Sequence, residues 1–108
     1  MGLTRICAAA DVPPGEMLRF DSDEGPLLLS NVDGEYFVTQ DTCTHDDWSL
    51  SEGYLEDGIV ECTLHWARFC VRTGAVKALP ASTPLRTYVV MVEDGDVMVD
   101  LECEAASA

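Results

Sequence analysis

Both histidines of this chain stand beside a cysteine: Cys43-Thr44-His45, then sixteen residues, then Cys62-Thr63-Leu64-His65. Two thiolates and two imidazoles on two short arcs make a four-donor site for a soft or borderline metal. Such a site dictates much about the fold, because two segments far apart in sequence must be held against each other. A rigid sheet with the donors on its loops does this best, since the sheet aims the ligands and the loops wrap the ion.

The remaining cysteines do not suggest a disulfide framework. There are five in all, an odd number, at Cys7, Cys43, Cys62, Cys70 and Cys103. No secretory leader or stretch of roughly 20 apolar residues is evident, so the expectation is a cytoplasmic chain with reduced thiols. Cys70 lies in an alternating segment and reads as a buried, inert thiol; Cys7 and Cys103 read as packing residues.

Charge excludes further classes. Twenty acidic and six basic side chains give a net charge of −14. Each contact with a phosphate backbone or anionic lipid would add repulsion, which argues against nucleic acid and membrane partners and favours a soluble monomer. The imbalance is uneven: residues 1–61 carry fourteen acids and only Arg5 and Arg19 as bases, while residues 62–92 carry Arg68, Arg72, Lys77 and Arg86 and no acid.

The periodicity is that of strands. Leu27 to Val32, Asp33-Gly34 and Glu35 to Thr39 spell a hairpin, because Asp-Gly tolerates the positive φ angles of a two-residue turn. Leu85 to Val92, Asp94-Gly95 and Val97 to Leu101 spell a second. Between them Gly58 to Cys62 and Ala67 to Val71 read as strands, with Thr73-Gly74 as a turn. Asp41 to Asp57 reads as a long loop, and Leu79 to Pro84, with two prolines, as another. The expected fold is all-β, with small antiparallel sheets forming a sandwich or barrel in one domain of 1–108. The expected metal-binding part spans about 41–84, inserted in a β base, with 104–108 as a flexible tail.

Two centres fit the donors. Structural zinc would take all four tetrahedrally, whereas a Rieske-type [2Fe-2S] cluster takes both cysteines on one iron and both histidines on the other. The Cys-x-His arc favours the cluster over zinc knuckles, whose pairs are usually spaced more widely.

The chain closely resembles the Rieske-type ferredoxins of bacterial aromatic-ring-hydroxylating dioxygenase systems. The likeness runs from Asp11-Val12-Pro13-Pro14-Gly15-Glu16 through Asn31-Val32-Asp33-Gly34 to Val99-Asp100-Leu101. It is most specific at Cys43-Thr44-His45, Trp48 to Tyr54, Val60 to His65, Phe69 to Gly74 and Leu79-Pro80-Ala81. It implies a Rieske-type fold with a cluster-binding subdomain built from two loops, and one [2Fe-2S] cluster on Cys43, His45, Cys62 and His65. It also implies a one-electron carrier, not a catalyst, running between a flavin-dependent ferredoxin reductase and a terminal ring-hydroxylating dioxygenase. The alternatives are a zinc-stabilised interaction module and a small Rieske subunit of another reductase, such as nitrite reductase.

With two ferric ions, two sulfides, two thiolates and two neutral imidazoles, the oxidised cluster sums to zero charge. Such clusters have potentials of about −150 to +300 mV, against about −400 mV for plant-type ferredoxins. High-potential relatives add a disulfide and cluster-directed hydroxyls. The matching positions here are Trp48 and Leu64 for the cysteines and Ala67 and Phe69 for the hydroxyls, and none can serve. Asp46 and Asp47, next to His45, add negative charge, so the expected potential is near the low end of that window. Trp66 and Asp46 replace small residues common in the family, and Pro80 and Pro84 bracket what the resemblance suggests is a shielding loop.

Overall fold

The computed structural model describes residues 3–22, 25–42, 49–62, 67–78 and 85–104. Its strands are β1 (Thr4–Ala8), β2 (Met17–Ser22), β3 (Gly25–Val32), β4 (Glu35–Gln40), β5 (Tyr54–Glu56), β6 (Ile59–Glu61), β7 (Arg68–Cys70), β8 (Val76–Ala78), β9 (Thr87–Glu93) and β10 (Asp96–Glu104). Two single 3₁₀ turns, Ala9–Asp11 and Leu50–Glu52, complete the regular structure. The strands form a six-stranded, barrel-like sheet in the order β1-β10-β9-β4-β3-β2 and a four-stranded sheet in the order β5-β6-β7-β8. Every pairing among the described residues is antiparallel. The small sheet is a simple meander inserted between β4 and β9.

Three Asp-Gly pairs set the hairpins. Asp33 and Gly34 have φ of 52° and 95°, Asp57 and Gly58 of 52° and 79°, and Asp94 and Gly95 of 50° and 81°. Positive φ at both central residues is what a type I′ turn requires, and its twist matches that of the flanking strands. These aspartates are the only non-glycine residues with positive φ among the described residues.

The run Leu27-Leu28-Leu29 is apolar without alternation because β3 is buried on both faces. Leu27 and Leu29 join Val12, Val38, Tyr88, Val97 and Val99 in a core belonging to the large sheet. Leu28 and Val32 point the other way, into a second core with Leu50, Val60, Cys62, Ala67, Phe69, Val71 and Leu85. This second core joins the two sheets. A strand covered on both sides reads as a continuous hydrophobic run, here only three residues long before Ser30 interrupts it.

Polar braces fix the surroundings. The Asn31 side-chain amide donates to the Val12 carbonyl at 2.7 Å and its oxygen accepts the Gly34 N–H at 2.8 Å. The Tyr36 hydroxyl donates to the Ala9 carbonyl at 2.7 Å, pinning the β1–β2 connection onto the first hairpin. Arg72 lies 5.0 Å over the Phe37 ring and 3.5 Å from Glu35, linking the small sheet to β4.

The structure corrects the sequence expectations in places. The end of the presumed loop Asp41–Asp57 holds a 3₁₀ turn and β5, and Asp57-Gly58 is a third hairpin turn of the same kind as the two recognised. Strands β1, β2 and β8 were not anticipated. β10 continues to Glu104, which pairs with Tyr88. Residues 105–108, read as a tail, lie outside the described residues, as do Pro80 and Pro84.

Candidate metal centre

Of the four donors named from sequence, the described residues include one, Cys62; Cys43, His45 and His65 lie outside them, with Asp46, Asp47, Trp48 and Trp66. Among the described residues no group of three or more His, Cys, Asp or Glu side chains is gathered as a metal site. What the structure does place are the stems of both donor-bearing segments and the core beneath them.

The second segment springs from the β6–β7 hairpin. Glu61 pairs with Arg68 in the ladder, and the next rung is a hydrogen bond from the Cys62 N–H to the Ala67 carbonyl at 2.8 Å. The pairing of this hairpin therefore runs up to Cys62 and Ala67. Cys62 is a free cysteine, fully buried, and packs in the core that holds Leu28, Leu50, Val60 and Phe69. Ala67 and Phe69 are fully buried in the same core.

The first segment is closed in a similar way. Thr42 and Ser49 form an antiparallel bridge on either side of residues 43–48. The Leu50 N–H donates to the Asp41 carbonyl at 2.7 Å, and the Gln40 side-chain amide donates to the Thr42 carbonyl at 2.8 Å. Gln40 also receives the Arg86 N–H on its side-chain oxygen at 2.7 Å, which ties this stem to the residues following segment 79–84. Leu50, one residue past the bridge, is fully buried in the core that contains Cys62. The two stems thus rest on one apolar cluster.

The donor set fits a [2Fe-2S] cluster of mixed ligation: two thiols and two imidazoles, with Cys62 buried and free among apolar side chains that exclude water. The family comparison decides the matter. Residues 2–89 match the model of the Rieske [2Fe-2S] domain.

The chain belongs to the Rieske [2Fe-2S] family.

Its cofactor is accordingly one Rieske-type [2Fe-2S] cluster, and it is an electron carrier of the ferredoxin type, not itself an enzyme. The chain is 67% identical over 102 residues to the ferredoxin component of biphenyl 2,3-dioxygenase from Rhodococcus jostii (strain RHA1), covering 94% of this chain and 95% of that protein. Among solved structures it is similar to the Sphingomonas yanoikuyae B1 ferredoxin, with a TM-score of 0.87, 41% identity and coverage of 92% and 98% of the two chains. It is also similar to a chain in the complex of reduced oxygenase and oxidized ferredoxin in carbazole 1,9a-dioxygenase, with a TM-score of 0.86, 38% identity and coverage of 90% and 91%.

Within this Rieske frame, two cysteines outside the donor set differ from each other. Cys7 is buried in the large-sheet core; burial and the nearby Asp11 push its thiol up, against the pull of Arg5. Cys70 is half-buried, not the enclosed thiol the sequence suggested. Burial raises it, but hydrogen bonds from the Thr73 hydroxyl and the Thr73 and Arg72 backbone, together with the charge of Lys77, outweigh that and hold it below its ordinary value. Sequence reasoning assigns no role to Gln40, Asp41, Ser49 and Gly53, whose importance lies in contacts that no spacing rule encodes.

Proposed function

We propose that Cys43 and Cys62 hold one iron of the [2Fe-2S] cluster and His45 and His65 the other, and that the chain passes single electrons from a flavin-dependent ferredoxin reductase to a terminal ring-hydroxylating dioxygenase in aromatic compound degradation. The observation that carries this reading is the common footing of the two donor-bearing segments. Both are closed at the base by backbone pairing, and both stand on the core shared by Leu50 and Cys62. The cluster-binding part would span about 41–84 of a single domain, 1–108.

Held by these donors, a [2Fe-2S] cluster would supply one-electron redox chemistry. The chain's own residues supply the rest. The buried Cys62 presents its thiolate from an apolar wall, and the absence of a hydroxyl at Ala67 and Phe69 leaves the reduced state without donors from those positions. No residue acts as nucleophile or general base in this scheme, since both histidines are committed as ligands.

The dioxygenase as partner is supported by the relatives: one is the ferredoxin component of biphenyl 2,3-dioxygenase, and another structure is a complex of oxygenase and ferredoxin. The reductase as donor follows from the low potential expected of the centre. The chain acts as a cytoplasmic monomer in this reading; no helix among the described residues is long and apolar enough to cross a membrane. Contact with either partner is of the brief redox kind, burying under about 1,200 Å².

The deciding experiment is the absorption and paramagnetic resonance spectrum of the protein as isolated and after dithionite reduction. A brown-red protein that becomes paramagnetic on reduction is expected, and a colourless one would overturn the cofactor. His45→Ala, His65→Ala and Cys62→Ala should each lose the native signal. An intact Rieske spectrum in any of them would remove that residue from the ligand set.

A further inference from the structure

Asp41 is the only carboxylate residue that is buried among the described residues, at 1% exposure. A carboxylate leaves water at high cost unless it is hydrogen-bonded and paired, so its partners show what the burial achieves. They converge on one place. Its Oδ1 accepts the Ser51 N–H at 3.0 Å, and its Oδ2 accepts the Ser49 hydroxyl. The Ser49 and Ser51 hydroxyls are themselves 2.7 Å apart, and the Asp41 carbonyl accepts the Leu50 N–H at 2.7 Å. Asp41 stands on one side of residues 43–48 and Ser49 to Ser51 on the other.

Two further contacts anchor this knot. The Asp41 N–H donates to the Pro26 carbonyl in β3 at 3.1 Å, and Arg19 of β2 brings its Nε to 3.6 Å from Oδ2 as counter-charge. A residue without a side-chain oxygen could close the turn with the backbone bonds alone. A buried, ion-paired carboxylate that accepts from both a backbone N–H and a hydroxyl across the gap fixes the stem much more tightly.

We infer that Asp41 is a positioning residue for the cluster: its carboxylate clamps the stem of the segment carrying Cys43 and His45, and so sets how those two donors meet Cys62 and His65. The inference rests on the ligand assignment proposed above. Asp41 precedes Cys43 by two residues and His45 by four. Groups that orient metal ligands typically change affinity by about 10- to 100-fold when removed.

The test compares wild type with Asp41→Ala, Asp41→Asn and Asn31→Ala, all as full chains. Asparagine keeps the shape of the clamp, since its oxygen can accept the Ser51 N–H and its amide can donate to the Ser49 hydroxyl. Asn31→Ala removes another buried polar brace, one whose side chain bonds Val12 and Gly34 instead of the stem. The readouts are the rate of cluster loss under a ferrous chelator, the line positions of the reduced resonance spectrum and the midpoint potential.

Asp41→Ala should lose the cluster at least about tenfold faster, with displaced or broadened lines. Asp41→Asn should recover the wild-type line positions, and Asn31→Ala should keep the wild-type spectrum although its melting temperature falls. Wild-type lines and cluster lifetime in Asp41→Ala would overturn the inference. So would an Asn31→Ala variant as impaired at the cluster as Asp41→Ala, because a general loss of stability would then explain both. If Asp41→Ala does not fold, Asp41→Asn together with Ser49→Ala decides: lines displaced in Ser49→Ala and kept in Asp41→Asn support the clamp, and any other pattern rejects it. A wild type without a Rieske spectrum would overturn the ligand assignment itself, which separates that failure from the failure of the clamp.

Discussion

Gly53 is packed so tightly against the Glu61 carbonyl that no side chain fits between them. A Cβ at this position would overlap that oxygen and lie 3.2 Å from the Leu50 carbonyl. The backbone of Gly53 is not in the left-handed region, so the demand for glycine here is one of space alone. The contact joins the far end of the first donor-bearing stem to the residue preceding Cys62. Gly53 therefore sets the spacing between the two stems of the proposed site.

Gly53→Ala should push β6 away from the 3₁₀ turn Leu50–Glu52. The neighbours are backbone atoms and cannot rotate aside, so a loss of about 2 kcal/mol or more in stability is expected. Cluster content on isolation should fall with it, read as visible absorbance per protein. Wild-type melting temperature and full cluster content in Gly53→Ala would show that the spacing does not matter.

Ser30 offers a change of opposite sign. Its hydroxyl is buried on β3, on the face shared by Leu28 and Val32, and has no hydrogen-bond partner among the described residues. A buried hydroxyl without a partner carries an uncompensated desolvation cost. Ser30→Ala should stabilise the protein by about 1 kcal/mol, seen as a rise in melting temperature. A fall of that size would mean that the hydroxyl has a partner after all.

Much of the large sheet was legible because its hairpins are encoded locally. Asp33-Gly34 and Asp94-Gly95 each sit between apolar runs, and the backbone angles they permit settle the pairing register. Asp57-Gly58 carries the same signal, but its leading strand is the three-residue Tyr54–Glu56, too short to show a period. β1 and β2 escaped notice for another reason: they are the edges of the sheet, and Thr4, Arg5, Arg19 and Asp21 break their apolar pattern because those positions face water. The proposed donors Cys43, His45, Cys62 and His65 stand out by residue type. Asp41 and Gly53 do not, since their roles depend on Ser51 and Glu61 being brought to them by the fold.

The redox potential should be low for a Rieske centre. Ala67 and Phe69, at the positions where high-potential relatives carry hydroxyls, are fully buried in the core and have no polar hydrogen to give. A cluster without such donors gains less on reduction, which places the midpoint toward the bottom of the range of about −150 to +300 mV. Protein-film voltammetry measures it directly. A value above roughly +100 mV would require donors that these positions do not supply.

Cys70 should be the reactive thiol of the described cysteines. It is half-buried, and the Thr73 and Arg72 hydrogen bonds with the Lys77 charge lower it from its ordinary value of 9.0, so more of it is thiolate at neutral pH. Cys7 is enclosed and shifted upward, so both access and thiolate fraction work against it. Because the thiolate is the nucleophile, iodoacetamide at pH 7.5 should label Cys70 well before Cys7. The labelling rate of Cys70 should rise with pH and level off below that of an unperturbed thiol. Site-resolved mass spectrometry checks this, and Cys7 labelling as fast as Cys70 would refute it.

Electron transfer to and from this chain should slow as salt rises. The net charge is −14, and among the described residues Arg5, Arg19, Arg68 and Arg72 are each within ion-pair distance of a carboxylate, so most of the few cations are already matched. The field felt by an approaching protein is that of the unmatched acids. Such a field guides the encounter over distances comparable to the Debye length, about 10 Å at 0.1 M salt and about 3 Å at 1 M, and shorter screening removes the guidance before it touches close contacts. Stopped-flow reduction by a flavin-dependent ferredoxin reductase, followed at the cluster's visible band between low and moderate sodium chloride, should therefore show a falling second-order rate. Rates that stay level across that range would mean that the acidic surface serves solubility and not approach.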